Sequence, residues 1–463
     1  MLRLDYSNCL SEIVGEQGIS RQEIESLKEE LVKAHKNVYE KKSKGLLGFM
    51  ELPYKIDDAK KIESFAKKYK NKFENFVVIG IGGSALGNIA LQTALRHPYW
   101  NLLDRKNRGG WLRLFVPDNV DPELISGLLD TINLKKTLIN VISKSGTTAE
   151  CLANFFVIRE KLIKKVGKKN YSKHLIFTTD AQKGYLRELF NKGEAFASFE
   201  IPANVGGRFS VLSPVGLVSA AFTGIDIEKL LSGAKEMAER CKTEDVYKNP
   251  ALMYAGVQYL LYKKGKIMNV VMPYSNALYG FADWFRQLWA ESLGKKQNNA
   301  GQIVNVGPTP IKALGATDQH SQIQLYIEGP YDKVITFLSV EKYRKNVKIP
   351  KTSDNHYLGG HTLNELIKSE EQATRLALAR QNRPNCTIIL PEISESAAGE
   401  LIYFFELATA YAGELFNINA FDQPGVELGK QLTYALLGRP GYEEKRKELE
   451  KQLNKNSKQM HII

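Results

Sequence analysis

The sequence predicts an α/β protein of two doubly wound, mostly parallel sheet lobes with flanking helices. Three observations lead there. The chain has 463 residues, more than one core comfortably serves. Two series of short apolar runs occur along it, each run separated from the next by a helical stretch, which is the pitch of parallel strand–helix–strand units. The runs are continuous rather than alternating, as in strands buried on both faces.

Taken in order, residues 1–70 read as a charged helical segment, with helical apolar spacing through Glu23-Ile-Glu-Ser-Leu-Lys-Glu-Glu-Leu-Val. Residues 71–226 form the first expected lobe, with strands at 76–80, 112–116, 137–142 and 175–179. Residues 227–265 read as connecting helices. The second lobe, 266–441, has expected strands at 267–272, 324–327, 334–338 and 387–390. Residues 442–463, rich in Lys and Glu, read as a surface helix with a frayed end.

Composition narrows the function classes. Hydrophobic residues make up 43% and charged residues 25%, as in soluble globular proteins. No apolar run is long enough to cross a bilayer, so no membrane partner is expected. The opening Met-Leu-Arg-Leu-Asp-Tyr-Ser lacks the apolar core and cleavage site of a signal peptide, so the expected location is cytoplasmic. Cys9, Cys151, Cys241 and Cys386 are far apart, and the seven histidines form no helical HxxxH pair. Neither a disulfide framework nor a metal site is expected. The net charge of +13 comes from scattered lysine pairs such as Lys164-Lys165 and Lys295-Lys296, read as a solvated surface. No basic stripe with interleaved aromatics appears, so no nucleic-acid partner is expected, while the same positive field attracts a small dianion.

Two loops carry the signature of anion binding. Gly80-Ile-Gly82-Gly83-Ser84-Ala-Leu-Gly87 leaves the first strand and opens a helix, whose free N–H groups and dipole favour an anion. The string also fits GxGxxA, but a dinucleotide site wants an acidic residue about 20 positions on at a strand end. The nearest candidate is Asp104, outside any expected strand. Ser143-Lys144-Ser145-Gly146-Thr147-Thr148 follows another strand and offers four hydroxyls, which suits a small tetrahedral anion. Ordinary helix caps with turn glycines explain either loop alone.

Candidate proton-handling groups are dispersed. Gln287-Leu-Trp-Ala-Glu291 sets a carboxylate on an amphipathic helix, and Gly206-Gly207-Arg208 lets an arginine approach a ligand closely. Asp318-Gln319-His320 reads as a buried histidine among polar groups before a strand. In Gln423-Pro-Gly-Val-Glu427-Leu-Gly-Lys430 a lysine stands at the start of a helix, where the dipole disfavours it.

Together these segments resemble the glucose-6-phosphate isomerase family in its shorter bacterial form. The motifs are Gly-Gly-Ser-x-Leu-Gly, Ser-Lys-Ser-Gly-Thr-Thr, Val-Gly-Gly-Arg-Phe-Ser, the Glu291 segment, Asp-Gln-His-Ser-Gln and Phe-Asp-Gln-Pro-Gly-Val-Glu-Leu-Gly-Lys, and they run from about Phe76 to Gln431. Ser145-Gly146 stands where animal members are expected to have Thr-Phe. The resemblance implies two sugar-isomerase (SIS-type) lobes and interconversion of glucose 6-phosphate and fructose 6-phosphate through a cis-enediolate, without a cofactor. It implies that Glu291 shuttles the proton between C2 and C1, that His320 and Lys430 open the ring, and that Arg208 stabilises the enediolate. Gly83, Ser84, Ser143, Lys144, Ser145 and Thr148 would hold phosphate, the glycine and lysine through their backbone; Gln287 and Gln423 would contact the sugar. His320 would come from a neighbouring subunit, so a homodimer or higher homo-oligomer is implied. Two other readings stay open: an isomerase that also accepts mannose 6-phosphate, and a sugar-phosphate-sensing regulator without catalysis.

Overall fold

The computed structural model describes residues 1–354 and 356–457. Its strands, in chain order, are β1 (Arg3–Asp5), β2 (Asn75–Ile79), β3 (Arg113–Phe115), β4 (Thr137–Ser143), β5 (Leu175–Thr179) and β6 (Ala197–Glu200). There follow β7 (Met268–Pro273), β8 (Lys295–Gln297), β9 (Ile303–Val306), β10 (Thr309–Lys312), β11 (Lys333–Lys342) and β12 (Asn385–Glu392).

The first sheet has the order β3-β2-β4-β5-β6 and is parallel throughout. The second has the order β1-β12-β11-β7-β10, parallel except for β1, which runs antiparallel on β12. The expected pair of mostly parallel sheets is present. Strands β2, β4 and β5 are buried at every position, which is why they read as unbroken apolar runs.

Four helices frame the crevices of the two sheets. Helix α1 (Leu86–Leu95) leaves the loop after β2, and α2 (Ala149–Val166) leaves the loop after β4. Helix α3 (Tyr279–Leu293) follows β7, and α4 (Glu395–Leu415) follows β12. Almost every side chain of α4 is buried, as expected of a helix that is apolar all round. One apolar core runs from the first sheet through α4 to the second. Among the described residues no helix is long and apolar enough to cross a membrane.

Several expectations need correcting. Residues 324–327 are helical, within Ile323–Glu328, rather than a strand. A stretch of four residues, Gln324-Leu-Tyr-Ile327, has too little length to separate the two periods. The first 70 residues are mainly helical, yet they begin with β1, which covers the edge of the second sheet. Strands β6 and β10 are not among the expected ones; both are only partly buried edge strands without an apolar run. The connecting region is helical at Ile227–Arg240 and Pro250–Lys263, as expected. The tail forms the helix Glu443–Ser457, and its expected frayed end at 458–463 lies outside the described residues.

Candidate active site

Neighbouring strands β2 and β4 lead away from each other: β2 goes on to β3 at one edge, and β4 to β5 on the opposite side. The carboxyl ends of such a pair form the crevice where doubly wound sheets receive ligands. Both anion loops open there. Gly82 has φ +54°, and a Cβ on Gly83 would lie 2.3 Å from the backbone carbon and oxygen of Gly207. The glycine thus lets the phosphate loop touch the arginine loop, a packing reason in addition to ligand approach.

In the second loop Gly146 takes φ +67° and its N–H donates to Ser143 Oγ at 3.1 Å. Ser143 Oγ also lies 3.0 Å from Thr148 Oγ1. Ser145 Oγ accepts from the Thr147 N–H at 3.2 Å. Among the described residues no side chain caps the first turn of α1 or α2, so the reading of both loops as ordinary caps does not hold. Their N–H donors remain free for a ligand. The Lys144 ammonium donates to the carbonyls of Ala203 and Val205, at 2.6 and 3.0 Å, and burial holds its pKa below the usual value. Its ammonium is therefore engaged within the chain itself.

Across the cleft, α3 presents Gln287 and Glu291 one turn apart. Gln287 Nε2 donates to Glu291 Oε2 at 3.0 Å, while Gln287 Oε1 is buried without a partner among the described residues. Arg208 sits in the turn Gly207–Phe209 with its side chain only 2% exposed. Its Nε donates to Ser292 Oγ at 2.6 Å, its Nη1 to Gln423 Oε1 at 3.1 Å, and its Nη2 to the carbonyls of Ala420 and Asp422. Burial lowers its pKa, and the Glu291 carboxylate acts against that shift. A guanidinium fixed on this many acceptors is a preorganised positive charge.

The cleft measures about 1160 Å³ and holds Gly83, Ser84, Ser143, Lys144, Ser145, Thr148, Arg208, Gln287, Glu291, Gln423 and Lys430. Lys430 lies in the helix Glu427–Leu436, where Glu427 accepts from its ammonium at 2.8 Å and offsets the expected conflict with the dipole. His320 is not brought into the cleft of its own chain. It is exposed on the turn Thr317–His320, ahead of a helix, so the expectation of a buried histidine before a strand is corrected.

One buried group beside the cleft is not among the sequence-derived candidates. Lys295, expected as a surface lysine, is 7% exposed. Its ammonium donates to the carbonyls of Glu291 and Asp422, each at 2.9 Å, and so ties the end of α3 to the Gln423 segment. Burial, and then the nearby Arg208 charge, lower its pKa. The one signal for it in the sequence is its spacing, four residues after Glu291.

Two glycine- and hydroxyl-bearing loops, a carboxylate and a fixed guanidinium meet around one crevice, the equipment expected of an enzyme acting on a small phosphorylated substrate. Comparison with known proteins is specific. The phosphoglucose isomerase family model matches residues 59–455, and the chain belongs to that family. It is 50% identical over 453 residues to the glucose-6-phosphate isomerase of Carboxydothermus hydrogenoformans, covering 97% of each chain. With that of Rubrobacter xylanophilus it shares 43% identity over 444 residues, covering 95% of this chain and 98% of the relative. Among solved structures, a hypothetical protein of Thermus thermophilus superposes with a TM-score of 0.84 at 38% identity, covering 94% of this chain and 100% of that one. A glucose-6-phosphate isomerase from Chlamydia trachomatis gives 0.74 at 26% identity, covering 85% and 76%.

Proposed function

We propose that this chain interconverts glucose 6-phosphate and fructose 6-phosphate, an aldose–ketose step of glycolysis and gluconeogenesis, through a cis-enediolate held against Glu291. Family membership supports the reaction. The observation that carries the assignment of roles is the placement of the Glu291 carboxylate between Gln287 and Arg208, across the cleft from two uncapped helix starts. The phosphate anchors on Ser84, Ser143, Ser145 and Thr148, with the backbone of Gly83 and Lys144. Gln423 and Gln287 orient the sugar. Glu291 takes the proton from C2 and returns it at C1, since one carboxylate can face two adjacent carbons of a flat intermediate. Arg208 meets the oxygen that gains negative charge. The setting is cytoplasmic.

Ring opening falls to Lys430 and to His320 of a second copy of the chain, making the working unit a homodimer or higher homo-oligomer. The exposure of His320, away from its own cleft, supports that sharing. Mixing two inactive variants tests it. If the histidine crosses between subunits, co-refolded Glu291→Gln and His320→Ala chains regain activity, because one site in each mixed pair has both native residues. No recovery in pairs shown to be mixed would refute the shared site.

A further inference from the structure

The second sheet has a ligand crevice of its own. Strand β7 leads on to β10 at one side, while β11, on its other side, leads on to β12. The carboxyl ends of β7 and β11 therefore diverge as those of β2 and β4 do, and this is where the fold receives a ligand. A cavity of about 740 Å³ opens at that point. Ser275 and Asn276 bound it after β7, Tyr343 and Arg344 after β11, and Arg96 and Gln92 from the end of α1. None of the residues assigned to isomerisation lines it.

Some of the polar groups there are left without partners among the described residues. Ser275 is 8% exposed and its side chain caps neither the turn Asn276–Leu278 nor α3, whose first turn no side chain caps. Arg96 Nη2 donates to Glu395 at 3.0 Å, but its buried Nε has no partner among the described residues. Arg344 stands exposed at the rim. Glu395 acts on both guanidiniums, and the two repel each other. Two cations against one carboxylate leave a positive charge over. Gln92 Oε1 is also buried and without a partner among the described residues, an acceptor that calls for a donor.

We propose that this crevice is a second ligand site, which takes a small phosphate ester bearing hydroxyl groups. The phosphate sits on Ser275 and the start of α3, between Arg96 and Arg344, and a hydroxyl donates to Gln92. Titration calorimetry with inorganic phosphate as the probe tests it. In a chain whose first site is disabled by Ser143→Ala and Thr148→Val, one phosphate site per chain should remain. Adding Arg344→Gln should weaken that site at least ~10-fold, the loss of roughly one charge-assisted contact, with partial recovery in Arg344→Lys. Ser275→Ala gives a second variant that leaves the surface charge alone, and melting curves check that each variant is folded. Arg344→Gln by itself should leave isomerisation unchanged. The proposal fails if the disabled chain binds no phosphate, or if neither Arg344→Gln nor Ser275→Ala alters binding. It fails equally if Arg344→Gln shifts only the assembly mass by light scattering, which would mark the crevice as a contact between copies.

Discussion

Arg208 Nη1 stands 3.4 Å from Glu291 Oε1, beyond ordinary hydrogen-bond length, although the two carry opposite charges in one cleft. The guanidinium is held instead by Ser292, Gln423, Ala420 and Asp422. Its hydrogen bonds all go to groups other than the carboxylate. Glu291 in turn is oriented by Gln287. The guanidinium and the carboxylate are thus hydrogen-bonded to different partners.

Arg208→Lys keeps the charge and deletes the fork that reaches four groups. Turnover should fall by about 10²–10³-fold, the usual size of a lost charge-stabilising donor. Melting should also drop, because buried acceptors that lose their donor cost about 1–3 kcal/mol. Kinetics and thermal unfolding on the same preparation check both. A variant that melts lower but turns over normally would leave Arg208 a structural role only.

Gly83→Ala tests the contact between the two loops. A Cβ at Gly83 has 2.3 Å to the Gly207 backbone, which has no flexible end to move aside. Relief of such overpacking typically costs about 1–3 kcal/mol, and here it must shift the phosphate loop or the Arg208 turn. KM for glucose 6-phosphate should rise, by roughly 10-fold if one phosphate contact is lost. An unchanged KM would mean that the loop tolerates displacement.

How far the sequence discloses this structure depends on what each residue has to satisfy. Strands β2, β4, β5, β7, β11 and β12 are interior or nearly so, and burial on both faces forces continuous apolar runs. Strands β1, β6 and β10 lie at edges, where only partial burial is demanded and no run results. The anion loops are legible because close backbone approach needs glycine and phosphate needs hydroxyls, whatever the neighbours. Lys295 is not legible as a buried group, since its role comes from the Glu291 and Asp422 carbonyls brought together by tertiary folding. For His320, its own chain supplies the wrong expectation of burial; its exposure emerges only in the folded structure.

Chelation bears on the proton-transfer chemistry. The proposed route needs only side-chain acids and bases, so dialysis against EDTA, with nicotinamide omitted, should leave turnover unchanged. Activity that falls on dialysis and returns only with a divalent ion would contradict a route through these side chains alone.

Glu406 makes stability depend on pH. It is fully buried in α4, neither oxygen has a partner among the described residues, and burial pushes its carboxyl well above the usual range. With a raised folded pKa, the folded chain keeps a proton that the unfolded chain releases. Its contribution is complete below the unfolded value of 4.5 and is lost as pH rises through the folded pKa. Glu406→Gln removes that titration. As pH rises above the unfolded value of 4.5 the parent should lose melting temperature relative to the variant, with a gap that changes with pH. A gap independent of pH would show that Glu406 does not titrate there.

Proton transfer by Glu291 is the central claim, and exchange at C2 reads it most directly. Glucose 6-phosphate is incubated in D2O with parent and Glu291→Gln chains, and deuterium incorporation at C2 is followed by NMR alongside kcat and KM. The glutamine keeps the size and the hydrogen-bonding reach but cannot accept the proton. Exchange and kcat should fall together by about 10²–10⁴-fold, the typical contribution of a general base, with KM nearly unchanged. Exchange within a few-fold of the parent would contradict the account and assign the base to another group.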